Sequence, residues 1–220
     1  MKYGEAKDHV RDHIGDKDIP TYQLDYFMAQ GRRELETRGN FYWMVGIKDW
    51  STIVGQQDYS ITGTSTGQLG LTNFKEMRFL VARTTGTTRW TPVRQKTFGE
   101  SLTFYETSKQ GIPERVVIEN ETLYLFPPLP DKTYDMKLFY FQWTSFPTTA
   151  NLGTDELLTR WPQAVIWGAT LHGTLVRTKN LDLAKPYQDL LQMEIDKIQP
   201  YSDQRLNLPD IMRQTKGRAA

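Results

Sequence analysis

Three histidines are the residues best suited to metal binding or acid–base chemistry, because the chain has no cysteine. His9 and His13 are four residues apart, so a helix would place both imidazoles on one face, as in a two-histidine metal site. Asp8 and Asp12 flank the pair, but the glutamate of a zinc-protease motif and an obvious third ligand are missing. We interpret the pair as part of a solvated helix face.

His172 lies on the apolar face of a predicted helix. A hydrolytic base of this type needs a nucleophile beside it and a carboxylate that orients its ring. The sequence shows neither motif around His172. We therefore predict a histidine of the core or of an interface, no metal, no cofactor and no enzymatic activity; a hydrolase that uses His172, or His9 with His13, is one alternative.

The most informative charged pattern lies between positions 75 and 96. Two strands are predicted there, Phe74 to Arg83 and Arg89 to Gln95, with a Thr-rich turn between them. Six basic residues face one acidic residue, a local excess of +5 in a chain of net charge +1. The basic residues are Lys75, Arg78, Arg83, Arg89, Arg94 and Lys96. Such a hairpin can bind phosphate or an acidic partner, or its charges can protect a sheet edge from aggregation.

The composition places the chain among globular proteins with polar extensions. It has 220 residues, of which 38% are hydrophobic and 24% charged, and its mean hydropathy is −0.58. The near-neutral balance argues against a dedicated nucleic-acid binder, and the absence of cysteine excludes disulfides and thiolate metal sites. No segment approaches the roughly 20 apolar residues of a membrane span or the apolar core of a signal peptide. We therefore expect a soluble, intracellular protein.

Apolar periodicity predicts helices at both ends of the chain. Near the N-terminus they are Tyr3 to Ile14, ended by Gly15, and Pro20 to Arg38. Near the C-terminus they are Pro162 to Thr178 and Asp182 to Gln199. Proline suits the first turn of a helix, so Pro162 marks a start, Pro186 is tolerable only in a first turn, and Pro200 is predicted to end the last helix.

The middle of the chain has the aromatic and β-branched composition of strands. Residues 43–52 and 59–61 are predicted to form one hairpin. Further strands are predicted at 116–118, 123–126 and 136–143, the first two joined at Asn120 and the third apolar on both faces, as in a central strand. Together with the basic hairpin they predict an antiparallel sheet.

This order of elements predicts an α+β fold. The N-terminal helices (1–40) and the C-terminal helices (151–200) would form a bundle, with an antiparallel β domain (41–150) inserted between them and an extended arm (201–220) behind. The arm is polar and too poor in apolar residues to form a core, so we expect it to order on a partner. Its candidate binding residues are Arg205, Leu206, Leu208, Ile211, Met212 and Arg213.

The two C-terminal helices carry apolar residues around more than one face. A single apolar stripe suffices for packing within one chain, so a second one predicts contacts between subunits. Trp167 and Leu171 are the candidate interface residues.

Several short motifs occur in a fixed order along the chain. They are Ile19-Pro20, Phe41-Tyr42-Trp43, Gly111-Ile112-Pro113, Leu123 to Pro130 and Leu138-Phe139-Tyr140-Phe141. In this order the chain resembles the head-to-tail adaptor, or tail tubular, proteins of tailed bacteriophages. The resemblance covers roughly Ile19 to Ile198.

The resemblance implies a structural virion protein at the head–tail junction, assembled in the host cytoplasm. It implies a ring, commonly of twelve copies, below the portal protein, with helices in the ring wall, a sheet domain towards a downstream tail or nozzle protein, and a terminal arm on the portal. Double-stranded DNA would pass through the ring, without any membrane contact. Members differ in which terminus docks, so the C-terminal arm is inferred from this sequence, as is a charged-partner or DNA-channel role for Arg78, Arg83, Arg89 and Arg94.

A binding module is the alternative from another class. The chain has six Trp, eleven Tyr and ten Phe. An aromatic sheet could bind a carbohydrate or single-stranded nucleic acid by stacking, which requires an exposed and evenly spaced aromatic row.

Overall fold

The computed structural model describes residues 1–65, 67–102, 110–126, 130–146 and 156–206. Their contacts divide the chain into two units. The helical unit is built from Met1–Met44 and Trp143–Leu208, and the sheet unit from Val45–Gln142. The fold is therefore mixed α+β, as predicted. Within the described residues, no helix is both long and apolar enough to cross a membrane.

The described residues form six α-helices and one short 3₁₀ turn. The helices are α1 (Tyr3–Ile14), α2 (Thr21–Thr37), α3 (Phe98–Leu102), α4 (Glu156–Arg160), α5 (Pro162–Thr178) and α6 (Leu181–Leu206), and the turn is Tyr42–Met44. Gly15 ends α1 with a φ of 74°, a left-handed conformation that costs glycine little. Pro162 occupies the first turn of α5, and the side chain of Asn180 accepts a hydrogen bond from the Asp182 backbone N–H at 2.9 Å, so it caps α6.

The predicted end of the last helix at Pro200 is wrong. α6 continues to Leu206, and Pro186 also lies inside it, in the second turn. A helical proline removes one backbone hydrogen bond and costs about 3 kcal/mol, so tertiary contacts must compensate. Ser202 is fully buried, and its hydroxyl accepts a hydrogen bond from the Tyr42 N–H at 3.0 Å. Residues 201–206 of the predicted extended arm are therefore helical, and the rest of the arm lies outside the described residues.

α5 is the central helix of the helical unit. It packs against α1, α2 and α6 and is buried on most sides. Where α2 crosses it, Gly31 meets Gly168 and Ala169 so closely that a Cβ on Gly31 would lie 2.3 Å from the Ala169 backbone N. The two helix backbones are thus in direct contact.

The sheet unit contains seven strands. They are β1 (Val45–Ser51), β2 (Asp58–Ser60), β3 (Phe74–Thr84), β4 (Thr91–Gln95), β5 (Arg115–Glu119), β6 (Thr122–Phe126) and β7 (Tyr134–Gln142). Their order is β1-β7-β3-β4-β5-β6-β2. β1 pairs with β7 over its whole length, from Val45↔Phe141 to Ser51↔Asp135.

Two predicted hairpins are confirmed and one is wrong. β3 pairs with β4, and β5 pairs with β6 through a turn at Asn120 and Glu121, whose φ values are 47° and 59°. β1 and β2 do not form a hairpin, because β1 pairs with β7 and β2 with β6. The purely antiparallel sheet is also wrong: β4 and β5 are parallel, which the long connection between them allows.

A bulge in β3 decides which residues reach the core. The register with β7 shifts between Met77 and Phe79, so that Met77 and Leu80 contribute to the same buried cluster, together with Ala82. A strict alternation of faces along β3 would group Met77 with Phe79 and Val81; it fails at this bulge because one extra residue reverses the faces that follow it.

Candidate docking surfaces

The β3–β4 hairpin positions the four arginines predicted to face a charged partner. Arg83 is already engaged: its Nε donates to Asp135 Oδ2 at 3.0 Å, and its guanidinium carbon lies 4.5 Å from the centroid of the Trp90 ring. Thr85 donates to the other oxygen of Asp135 at 3.0 Å. Asp135 comes from β7, so part of the charge excess counted along the hairpin is neutralised by another strand.

The remaining arginines differ in exposure. Arg78 is partly buried, with its guanidinium carbon 5.5 Å from the centroid of the Phe79 ring, and burial lowers the pKa of Arg78 without discharging it at neutral pH. Arg89 and Arg94 are exposed, and neither forms an ion pair with the described residues. Arg89 and Arg94 are therefore the cations of the hairpin most available to a partner, and we call them the hairpin cations.

The histidines lie at separate places in the helical unit. His9 and His13 are exposed on α1, and the His13 ring lies 4.7 Å from the Trp167 ring. No three His, Cys, Asp or Glu side chains of the described residues are grouped so that they could hold a metal ion. His172 Nε2 lies 3.9 Å from Glu34 Oε2; burial lowers the pKa of His172, and Glu34 opposes that shift.

Trp167 and Leu171, the candidate interface residues, are placed differently. Trp167 is partly exposed, with its ring between His13 and Tyr187, whose ring centroid is 6.2 Å away. Leu171 keeps only 7% of its surface exposed, because α5 is buried on most sides. An interface role stays a prediction for both residues, and Trp167 is the better placed.

A cluster around Glu156 was not predicted from the sequence. Glu156 Oε1 accepts hydrogen bonds from the Tyr42 hydroxyl at 3.0 Å and from Arg205 Nη1 at 3.1 Å, and lies 3.2 Å from Arg160 Nε. The guanidinium carbon of Arg205 also lies 4.8 Å from the centroid of the Tyr42 ring and 5.4 Å from that of Tyr201. We call these five residues the Glu156 cluster.

The Glu156 cluster fixes the last turn of α6. Burial, reinforced by the hydrogen bond to Glu156, raises the pKa of Tyr42 to about 12, so its hydroxyl stays protonated as a donor. Arg205, predicted as part of a free arm, is one of the residues that hold this turn, and Leu206 follows it in α6. Leu208, Ile211, Met212 and Arg213 lie outside the described residues.

A second unpredicted network is buried where the chain enters the helical unit after β7. Glu36 is fully buried and Arg32 is 5% exposed. Arg32 Nε lies 3.3 Å from Glu36 Oε1, and the Thr144 backbone N–H donates to Glu36 Oε2 at 3.0 Å. The Thr144 hydroxyl donates to the same carboxylate. A buried carboxylate with this many donors is stable only while each partner is present.

A family model described as SU10 adaptor protein matches residues 1–213, which spans both units. The chain belongs to the SU10 adaptor protein family. This is a family of phage head-to-tail adaptors, so the predicted resemblance is confirmed. It is a structural family and is not known as an enzyme family. No curated protein matches the sequence.

Family membership indicates the adaptor's partners and location. It implies association with portal and tail proteins and a place in the virion. The sequence identified the hairpin of the adaptor through its run of basic residues. It missed the Glu156 cluster, because Tyr42 was visible only as part of an aromatic motif and its partners are more than a hundred residues away.

Proposed function

We propose that the protein is a head-to-tail adaptor that forms a ring below the portal, joins the DNA-filled head to the tail and leaves a channel for the genome. The observation that carries this proposal is the family match over residues 1–213, because it includes both the helical unit and the sheet unit. The twelvefold stoichiometry is what the family resemblance implies.

The helical unit would form the ring wall. Large apolar side chains remain exposed on its helices, among them Tyr22 at 70%, Leu181 at 74% and Val176 at 53%. Tyr22 and Tyr26, which is 54% exposed, lie one turn apart on α2, and adjacent exposed apolar side chains of this kind are typical of surfaces that a partner covers. This supports contacts with neighbouring copies and with the portal.

The hairpin cations would face a charged neighbour, either the passing double-stranded DNA or an acidic tail component. Arg89 and Arg94 are the exposed pair, while Arg83 is held by Asp135. Contacts of this kind weaken as salt rises, because added ions screen them and compete for phosphates.

The segment after Leu206 would dock on the portal. Its candidate residues are Leu208, Ile211, Met212 and Arg213, and it would leave from the turn that the Glu156 cluster holds through Arg205. A short segment of this kind binds weakly alone, and the many copies in a ring would supply the avidity.

A truncation tests the proposal. Deleting residues 207–220 keeps all of α6 and the Glu156 cluster, whereas a cut before Arg205 would also remove part of the helix. We expect the truncated chain to keep the far-ultraviolet circular dichroism of the full chain but to leave DNA-filled heads unoccupied in pull-down and electron microscopy. Full-length chains that do not bind portal-bearing heads would refute the adaptor proposal. Truncated chains that bind normally would refute the role of the segment.

The binding-module alternative gains no support. It requires a row of exposed aromatic rings on the sheet. Among the described residues of the sheet unit, Phe98 is the one exposed aromatic side chain, and it lies on α3.

A further inference from the structure

α2 keeps a stripe of exposed residues after its inner face is packed. Tyr22, Tyr26, Ala29 and Arg33 are spaced four, three and four residues apart, and all are exposed. Tyr22 keeps 70% of its surface and Tyr26 keeps 54%. At 3.6 residues per turn these positions lie on the side of α2 opposite Gly31, which contacts α5. The spacing is that of a helix face that packs against another helix. We call it the α2 stripe.

α6 carries a second stripe with the same spacing. Leu183, Pro186, Leu190 and Met193 are three, four and three residues apart. Leu183 is 54% and Met193 is 55% exposed, and Leu190 is partly exposed. These residues lie away from the buried face of the helix, which includes Leu191. We call this set the α6 stripe.

The two stripes do not cover each other within one chain, because Tyr22, Leu183 and Met193 all stay exposed in it. α5 packs against both α2 and α6. α2 and α6 approach each other near the C-terminal end of α2, where Arg38 Nη1 donates to Gln192 Oε1 at 3.0 Å. Each stripe is therefore open to a partner.

The charges on the α2 stripe and beside the α6 stripe are complementary. The guanidinium carbon of Arg33 lies 3.2 Å from the centroid of the Trp143 ring, and Arg33 forms no ion pair with the described residues. Beside the α6 stripe, Asp189 and Asp196 are exposed, seven residues apart, and neither is paired with a cation in the described part of the chain. Lys197, four residues after Met193, is neutralised by Glu194 at 2.6 Å. Lys185 is exposed on the same flank as the two aspartates, so two carboxylates face one ammonium there and the flank stays acidic. Charges that flank a helix contact select its partner and register.

We infer that the α2 stripe of one copy packs against the α6 stripe of a second copy, with Arg33 facing Asp189 or Asp196. The contact joins two different faces, so repetition generates a ring when the rotation closes; in this respect the inference rests on the proposed ring. Pairing of α2 with α2 would bring two Arg33 side chains to one interface without an acidic residue of the stripe to match them.

Cysteine cross-linking tests the inference, because the chain contains no cysteine of its own. Ala29→Cys and Leu190→Cys place one thiol in each stripe, and Gln188→Cys, on an exposed part of α6 outside the stripe, is the control for Leu190→Cys. The variants are mixed with portal and treated with a short bismaleimide. We expect a cross-linked dimer from the Ala29→Cys and Leu190→Cys mixture, at least about tenfold above either variant alone or the mixture with Gln188→Cys. A chain with both cysteines should give a ladder of multimers.

A charge exchange provides the second measurement. Arg33→Glu should lower the cross-linking yield about tenfold, since like charges oppose one another across the contact. Combining it with Asp189→Arg and Asp196→Arg on the partner copy should restore most of the yield. An equal dimer yield from Ala29→Cys alone would overturn the inference. So would the absence of a cross-link while native mass spectrometry shows a portal-bound ring. Neither result would contradict the proposed ring itself. Wild-type chains that stay monomeric with portal would instead contradict the proposed function.

Discussion

Replacing Gly31 by alanine tests the close contact between α2 and α5. The new Cβ would lie 2.3 Å from the Ala169 N, 2.6 Å from the Gly168 carbonyl carbon and 2.8 Å from the Ala169 Cα. Carbon contacts are optimal at roughly 3.5 to 4 Å, so the helices would have to separate by about 1 Å. All three atoms belong to the backbone and cannot rotate away.

The expected magnitude follows from two opposing effects. Overpacking of a core costs about 1 to 3 kcal/mol, and rigid backbone neighbours favour the upper end of this range. Alanine in place of a helical glycine returns about 1 kcal/mol through helix propensity. Gly31→Ala should therefore lower the free energy of unfolding of the helical unit by about 2 kcal/mol. Gly168→Ala should act in the same direction, because its Cβ would lie 2.8 Å from the Gly31 carbonyl oxygen.

Urea unfolding followed by far-ultraviolet circular dichroism measures this effect. The matched control compares two variants of Gln188, an exposed residue of α6. Gln188→Gly should be about 1 kcal/mol less stable than Gln188→Ala, through helix propensity alone. The two sites thus compare the same pair of residue types with and without a packed neighbour. If Gly31→Ala instead stabilises the protein by the amount that the control predicts, α2 and α5 are not in backbone contact.

Three further predictions concern the hairpin and the two unpredicted networks. The double variant Arg89→Glu, Arg94→Glu should impair tail attachment or DNA ejection in complementation assays, while its circular dichroism stays unchanged. Normal particles would instead indicate that these charges only protect the sheet edge from aggregation. Glu36→Gln should lower the free energy of unfolding by about 3 to 5 kcal/mol, since it removes the carboxylate that neutralises the buried Arg32 charge, and a urea midpoint equal to that of wild type would contradict this. Tyr42→Phe should remove one tyrosinate transition near pH 12 from an ultraviolet titration. The raised pKa of Tyr42 means that its contribution to stability is complete below pH 10 and is lost as the pH rises towards 12, so the variant should show a smaller loss over that interval.

Local elements could be predicted where a short stretch of sequence contains its own physical cause. α1 ends at Gly15 because glycine adopts the left-handed conformation easily, and α5 begins at Pro162 because the first turn needs no proline N–H. The β5–β6 hairpin was predictable for the same reason, since its turn residues adjoin both strands. The order of the short motifs resembled that of the adaptor proteins, and the family match confirms this prediction.

Surface charge was predicted less well. The sequence located the hairpin arginines but could not show that Asp135, some fifty residues further along the chain, neutralises Arg83. The number of basic residues in a segment is a local property, whereas the charge a partner meets depends on every strand packed beside it. The exposed Arg89 and Arg94 are the part of the prediction that the tertiary structure leaves available.

By itself the sequence determined the four long helices except for the end of α6, the positions of the strands, the basic hairpin and the adaptor family, because periodicity, turn residues and motif order depend on neighbouring positions. Only the tertiary structure decided three features. They are the pairing of β1 with β7, the bulge that places Met77 and Leu80 in the same buried cluster, and the continuation of α6 past Pro200. In each case contacts between distant residues outweigh local preference. Ser202 with Tyr42, and Arg205 with Glu156, hold a helix that its proline would otherwise end.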